Sequence, residues 1–268
     1  MSLQVVVDFA VVDESADWLV VDKPAPLIVH PANRKPEPTL LGGIERLLTF
    51  EIENGAKPAI VNRLDRDTSG LVLVAKHTLA ARELGIIFER REVKKEYLAI
   101  VNGWPDADEW ISDQPILREG ELGPAVIWVR QVVHPAGRAC LTRFKVEHRF
   151  EVDGRRHALI RCFPETGRMH QIRVHLAHDG FPIVGDKIYS GDGSEYLEWM
   201  RDGWTRDLQN KLLLPRHALH ASRLSLMWND RMMDWRVDLP PDLAAFVRGD
   251  QSGHDPRVIE WSRHDDSP

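Results

Sequence analysis

Nothing in this 268-residue chain approaches the roughly 20 consecutive apolar residues that a membrane span needs. Cysteine is nearly absent: Cys140 and Cys162 lie far apart and outside any metal-ligand spacing. That excludes a disulfide framework and a cysteine-based zinc site, and fits a reduced, cytoplasmic protein. Met1 to Val12 carries no basic segment and no long apolar stretch, so no signal peptide is expected. There is no Walker loop or dinucleotide fingerprint to hold a nucleotide, no internal repeat and no low-complexity linker. An excess of basic residues is missing too. Thirty-five Lys and Arg against 41 Asp and Glu leave a net charge of −6, the opposite of the balance common in nucleic-acid binders.

What is present is enough apolar material, 43% of residues, to bury a substantial core. The charge is also unevenly spread. Acidic residues collect at Asp106–Glu109, Asp192–Glu198 and around Asp265. Basic ones collect at Arg34-Lys35, Arg90-Arg91, Lys94-Lys95, Arg155-Arg156 and Arg168 to Arg173, which allows a local basic face.

Periodicity and turn chemistry predict short strands at Val5–Val7, Val11-Val12 and Leu19–Val21, followed by an irregular path through Lys23-Pro24-Ala25-Pro26. A helix is expected over Leu40–Phe50, strands at Ala59–Leu64 and Leu71–Ala75 around a polar loop Asp65–Gly70, a helix over Thr78–Glu89 and a strand over Glu96–Val101. Further strands are expected at Val126–Val133, Cys140–Val146 and His157–Phe163, the last two joined at Asp153-Gly154. Gln171–His178 reads as a helix ending at Gly180, and Ser194–Leu214 as one amphipathic helix. Ala218–Leu226 and Met233–Val237 read as a hairpin around Asn229-Asp230. The sum is an α+β fold with a mixed, largely antiparallel central sheet flanked by helices. One domain is expected over residues 1–248, with a loose polar tail over 249–268.

Three segments carry chemistry. In Asn62-Arg63-Leu64-Asp65-Arg66-Asp67-Thr68-Ser69-Gly70 an acid sits between two arginines on a loop. Neighbouring guanidinium charge keeps a carboxylate ionised, as a nucleophile or base requires. The plainer alternative makes Asp65 and Asp67 turn residues in surface ion pairs. In Gly167-Arg168-Met169-His170-Gln171-Ile172-Arg173-Val174-His175, a helix starting near His170 would carry Arg173 one turn on. His170, His175 and His178 fit no standard zinc spacing. In Lys94-Lys95-Glu96-Tyr97, a phenol able to stack on a base follows lysines able to meet phosphate; it could equally be an ordinary strand aromatic.

Together these segments resemble the RluA-type family of pseudouridine synthases. Asn62 to Gly70 fits the family's His/Asn-Arg-Leu-Asp followed by two variable positions and Thr-Ser-Gly, and Gly167 to His175 fits its Gly-Arg-x-His-Gln-Ile-Arg-x-His. Val21-Asp22-Lys23-Pro24 with His30-Pro31, Lys95-Glu96-Tyr97, Pro182 to Asp186 with Tyr189, and Leu219-His220-Ala221 match in family order. The resemblance implies the pseudouridine synthase fold and isomerisation of uridines in structured ribosomal or transfer RNA, without metal or organic cofactor. It implies Asp65, Tyr97 and Arg173 as catalytic residues, with Arg173 orienting Asp65 and Tyr97 stacking on the uracil. Arg63, Arg66, Lys94, Lys95, Arg168 and His170 are expected to meet RNA. Two departures stand out. Asn62 occupies a position more often histidine, and no small S4-type RNA-binding domain is expected ahead of Val5, so RNA grip would come from a basic face of Arg34, Lys35, Arg90, Arg91, Lys94 and Lys95. A monomer without an obligate protein partner is expected. The competing readings are a glycoside hydrolase using Asp65 and Asp67, and a catalytically silent RNA-binding protein on the same scaffold.

Overall fold

The computed structural model describes residues 8–31 and 38–250. The expected strand at Val5–Val7, residues Arg34 and Lys35, and all but the first two residues of the expected tail lie outside them. No helix among the described residues is long and apolar enough to cross a membrane.

The elements run β1 (Ala10–Glu14), β2 (Trp18–Lys23), α1 (Leu40–Leu47), α2 (Thr49–Glu53), β3 (Ala59–Ile60), β4 (Ser69–Ala75), α3 (Thr78–Glu89), β5 (Val93–Asn102), β6 (Glu109–Ser112), β7 (Ile116–Arg118) and β8 (Gln131–Val133). The remainder is β9 (Thr142–Val152), β10 (Arg155–Pro164), α4 (Gln171–His178), α5 (Ser194–Asp202), α6 (Arg206–Leu212), β11 (Leu219–Trp228), β12 (Arg231–Arg236) and α7 (Pro241–Val247). Among the described residues, ten strands form one sheet in the order β1-β2-β4-β11-β5-β10-β9-β6, with β3 on β4 and β12 on β11, while β7 and β8 pair separately. Every pairing is antiparallel except β4 with β11. This is the expected α+β, mixed and largely antiparallel architecture.

Several elements follow directly from their residues. β4 is apolar from Gly70 onward and buried at all seven positions, as a central strand must be. α3 and α4 occupy the expected bounds. His77 caps α3 by accepting from the Ala80 N–H at 3.2 Å, which leaves its other ring nitrogen to donate to Asp17 at 2.9 Å. Asn229 and Asp230 both take positive φ, the geometry that a two-residue hairpin turn demands.

Other expectations need correction. The helix over Leu40–Phe50 is two, because the chain leaves helical geometry at Leu48 and Thr49 starts afresh. Ser194–Leu214 likewise splits at Gly203, whose φ of 76° ends α5 before Thr205 caps α6. The strand over Ala59–Leu64 stops at Ile60, and Val126–Val133 is strand only from Gln131. No helix is expected over Pro241–Val247, yet α7 lies there, with Leu243 buried in the core and Phe246 and Val247 packed against it.

The parallel step is short and central. Ser69 pairs with His220 and Gly70 with Ala221, and there the N-terminal strands join the rest of the sheet. Gly70 has φ +113°, and a Cβ built on it would stand 2.6 Å from the Ala221 nitrogen and closer still to its carbonyl oxygen. Backbone approaches backbone here because no side chain intervenes. Gly55 also has positive φ, at +99°, yet faces open space. Gly55→Ala is expected to cost about 1 kcal/mol from backbone strain alone, and Gly70→Ala at least ~2 kcal/mol more from the clash, read as the shift in denaturation midpoint. Equal losses at the two positions would mean that the close strand approach does not matter.

Candidate active site

Residues 61–68 cross from β3 to β4 beside the parallel step. The Val61 N–H still donates to the Leu73 carbonyl at 2.9 Å, but the next residue pairs through its side chain. The Asn62 amide donates to the Leu71 carbonyl at 3.1 Å and accepts the Leu73 N–H at 2.7 Å. One planar side chain thus stands in for a strand residue and lets the backbone turn away into the loop. Both bonds need an amide's donor and acceptor on one sp² carbon, which gives the asparagine at this position a structural reason.

The loop is then tied down from several sides. The Arg66 carbonyl accepts the Leu27 N–H at 2.9 Å and the Lys23 ammonium at 3.2 Å. Lys23 is wholly buried and also donates to the carbonyls of Pro24 at 2.9 Å and Leu27 at 2.8 Å, so its three N–H bonds are all used. Asp67 receives Lys187 at 3.1 Å on its carboxylate and Arg216 at 3.3 Å on its carbonyl. Thr68 meets His217 at 2.6 Å. Asp67 is therefore a strut of the loop, which removes the acid that a two-carboxylate glycosidase would require.

Asp65 is left pointing into an open cleft of about 530 Å³, within the range of small-molecule sites, whose lining includes Arg63, Lys95, Tyr97, Arg168, His170 and Arg173. Arg173, 5% exposed, donates from Nη1 to Asp65 Oδ2 at 2.9 Å. Its Nε and Nη2 form a fork on Asp186 at 2.7 and 2.9 Å, and its guanidinium carbon lies 5.0 Å from the centre of the Tyr189 ring. Asp186 is fully buried and also accepts the N–H groups of Ile188 and Tyr189. The expected pairing of Arg173 with Asp65, across more than a hundred residues of sequence, is present. Asp186 and Tyr189 were not singled out as site residues from sequence; the signal was the matched segment Pro182 to Tyr189.

Burial by itself would raise the Asp65 carboxyl, but the Arg173 charge and its hydrogen bond, joined by His170 only when that ring is protonated, more than offset it. His170 is itself pushed down to about 4, by burial and then by Arg173, so near pH 7 it is neutral and Arg173 is the cation that keeps Asp65 ionised. The Tyr97 phenol is pushed well up, by burial first and then by the Asp65 charge. A phenol held neutral in this way is a packing surface and a donor, and a poor proton acceptor.

The expected basic residues divide. Lys95 and Tyr97 face the cleft, with Lys95 donating to the Thr166 carbonyl at 3.2 Å. Lys94 shares the opposite face of β5 with Glu96, which pairs with Arg161 at 3.0 Å and Arg223 at 2.6 Å. Lys94 therefore does not line the site, a correction forced by the period-two alternation of a strand. Arg63 is exposed at the rim and Arg168 is half-buried in the lining. Arg66 also lines the cleft, with its guanidinium carbon 5.4 Å from the centre of the Trp199 ring. His170, His175 and His178 do not converge: His170 meets Tyr189, His175 meets Thr142 and the Gln114 carbonyl, and His178 is exposed. Among the described residues no group of three His, Cys, Asp or Glu side chains forms a metal site.

A family model described as RNA pseudouridylate synthase matches residues 17–178. The chain is 35% identical over 242 residues to ribosomal large subunit pseudouridine synthase D of Buchnera aphidicola subsp. Acyrthosiphon pisum, covering 88% of this chain and 72% of that protein. It is 33% identical over 256 residues to the protein of the same name from Escherichia coli strain K12, covering 94% and 74%. Two solved structures share the fold. Human RNA Pseudouridylate Synthase Domain Containing 1 superposes with a TM-score of 0.68 at 24% identity over 91% of this chain and 89% of that one. Human RNA Pseudouridylate Synthase Domain Containing 4 gives 0.69 at 22% identity over 90% and 92%.

The buried Lys23 yields a pH test. Burial, and then Arg216, lower its ammonium to about 7, against the raising effect of Asp67, Asp65 and Asp22. Between pH 7 and the ordinary lysine value near 10.4 the unfolded chain binds more protons than the folded one, so Lys23 makes stability rise with pH across that window. Wild type is expected to gain stability relative to Lys23→Met on going from pH 7 to 9.5 in denaturant titrations. Parallel behaviour of the two proteins would mean that folding does not lower the Lys23 ammonium.

Proposed function

The chain belongs to the family of RNA pseudouridylate synthases and is an RNA-modifying isomerase, and from that premise we propose that Asp65 carries the chemistry, on a uridine of large-subunit ribosomal RNA turned out of its helix into the cleft. The ribosomal target is supported by the names of the relatives that match over most of the chain. The single observation that carries the role of Asp65 is its carboxylate, kept ionised against burial by Arg173 and opening into a cleft beside Tyr97.

The reaction breaks the N1–C1′ bond, turns the uracil and joins C5 to C1′; C5 loses a proton and N1 regains one, so no oxidant, reductant or energy source is needed. Asp65 acts on the ribose, by attack at C1′ or by taking the C2′ proton. Its Oδ2 is engaged by Arg173, which leaves Oδ1 as the oxygen offered to the substrate. Tyr97 covers the uracil as a neutral ring while it turns. Extruding the base costs a few kcal/mol, and Arg63, exposed at the rim, is placed to fill the gap or meet phosphate. Grip on the backbone comes from cations on the cleft side, Arg63, Lys95 and Arg168 among them. The silent-scaffold reading is disfavoured, since the whole Asp65, Tyr97 and Arg173 constellation is assembled.

Two experiments test this. Asp65→Asn is expected to lower turnover of an unmodified large-subunit ribosomal transcript by at least ~100-fold, assayed by tritium release from 5-tritiated uridine, while the protein still folds. A tenth of wild-type activity remaining would sink the assignment. In RNA titrations at several salt concentrations, Lys95→Glu is expected to weaken binding and lower the salt slope by about 0.7 or more, whereas Lys94→Glu should have a much smaller effect. The reverse order would place the RNA on the other face of β5.

A further inference from the structure

His170 is held in an unusual way. It precedes α4 with φ +57°, in the left-handed region, and its side chain makes no capping bond to the helix it begins. Non-glycine residues take that geometry at a cost, which persists where surrounding contacts hold them. Here the ring is turned toward Tyr189, its Nδ1 lying 2.8 Å from the phenol oxygen and the two rings edge-on at 5.6 Å. Its Nε2 lies 3.7 Å from Asp65 Oδ2, and the side chain is 8% exposed.

The hydrogens in this chain can be assigned by elimination. The Tyr189 oxygen lies 2.9 Å from the backbone nitrogen of Gln131. A peptide N–H can only donate, so Tyr189 accepts there. Tyr189 is 7% exposed, and the acceptor within reach of its own proton among the described residues is His170 Nδ1. Were Nδ1 protonated instead, the phenol oxygen would accept twice and its buried O–H would point at nothing, an arrangement folded proteins avoid. The neutral imidazole that burial and Arg173 enforce therefore carries its proton on Nε2.

We propose that the Gln131–Tyr189–His170 chain is a tautomer lock, which presents the His170 Nε2–H to Asp65 Oδ2. Substrate closure shortens the 3.7 Å gap, Oδ2 then takes donors from both Arg173 and His170, and Oδ1 becomes the one reactive oxygen. His170 is a positioning residue acting through Asp65, so the inference rests on Asp65 carrying the reaction. Gln131 and Tyr189 lie far from the Asp65 loop in sequence, and the lock connects them to the chemistry through a single ring.

The test uses the full chain and an unmodified large-subunit ribosomal transcript. A glutamine amide reaches the place of Nε2, an asparagine amide only that of Nδ1. His170→Gln is expected to keep kcat within about threefold of wild type, while His170→Asn loses about 30-fold or more with KM changed less than about twofold. Tyr189→Phe, which frees the tautomer, should lose about tenfold in kcat. Independently of activity, nitrogen-15 spectra of histidine-labelled protein should show His170 protonated on Nε2 and not Nδ1, with the two forms mixing in Tyr189→Phe. A Nδ1-protonated ring in wild type would overturn the lock, as would equal kcat in His170→Gln and His170→Asn. Activity surviving in Asp65→Asn would instead remove the premise, whatever the spectrum of His170.

Discussion

The buried guanidinium of Arg173 is the interaction on which the site depends. It has five N–H donors in a rigid plane, and Asp186 takes the Nε and Nη2 edge, which fixes that plane and leaves Nη1 directed at Asp65. Neither charge could remain alone in such an environment: an unpaired buried ion costs several kcal/mol. Asp186, 0% exposed, therefore requires Arg173, and Arg173 in turn orients Asp65. Three separate stretches of chain, the loop after β3, helix α4 and the turn around Asp186, are held in register by one side chain. α4 is accordingly buried at six consecutive positions, Gln171 to Leu176, polar residues included.

That arrangement needs a scaffold in which the loop ends at a set place. The parallel step between β4 and β11 supplies it. Gly70 lets the strands meet closely, Ser69 reaches His220 at 2.9 Å, and Thr68 reaches His217. The loop that carries Asp65 is anchored at this end by strand pairing and at the other by the Asn62 amide, with Lys23 bonded to the carbonyl of Arg66 between them. A loop fixed at both ends and in the middle has little freedom left to lose, so the Asp65 side chain is held in a set place beside the cleft.

Legibility followed the range of the interactions involved. Helices α3 and α4 were readable to the residue because apolar spacing and end signals are local. The hairpins at Asp153-Gly154 and Asn229-Asp230 were readable because positive φ suits those residues. The two long helices were each read as continuous because apolar spacing carries across the breaks at Leu48 and at Gly203. Lys94 and Lys95 read as one basic cluster, yet a strand sends neighbours to opposite faces. The site lay in between: the resemblance supplied Asp65, Tyr97 and Arg173, while the roles of Asp186, Tyr189 and Lys23 emerged from contacts across the fold.

By itself the sequence determined the fold class, the family and the residue types around the cleft, since these depend on local periodicity and on motifs that survive as short contiguous strings. Only the tertiary structure decided which oxygen of Asp65 is held by Arg173, and that Asp67 is a strut. It also decided that Lys95 and not Lys94 faces the cleft, and that His170 is turned to Tyr189. The physical reason is that protonation, hydrogen-bond direction and burial belong to pairs of groups, and the pairs that matter here are brought together by folding from positions up to 120 residues apart.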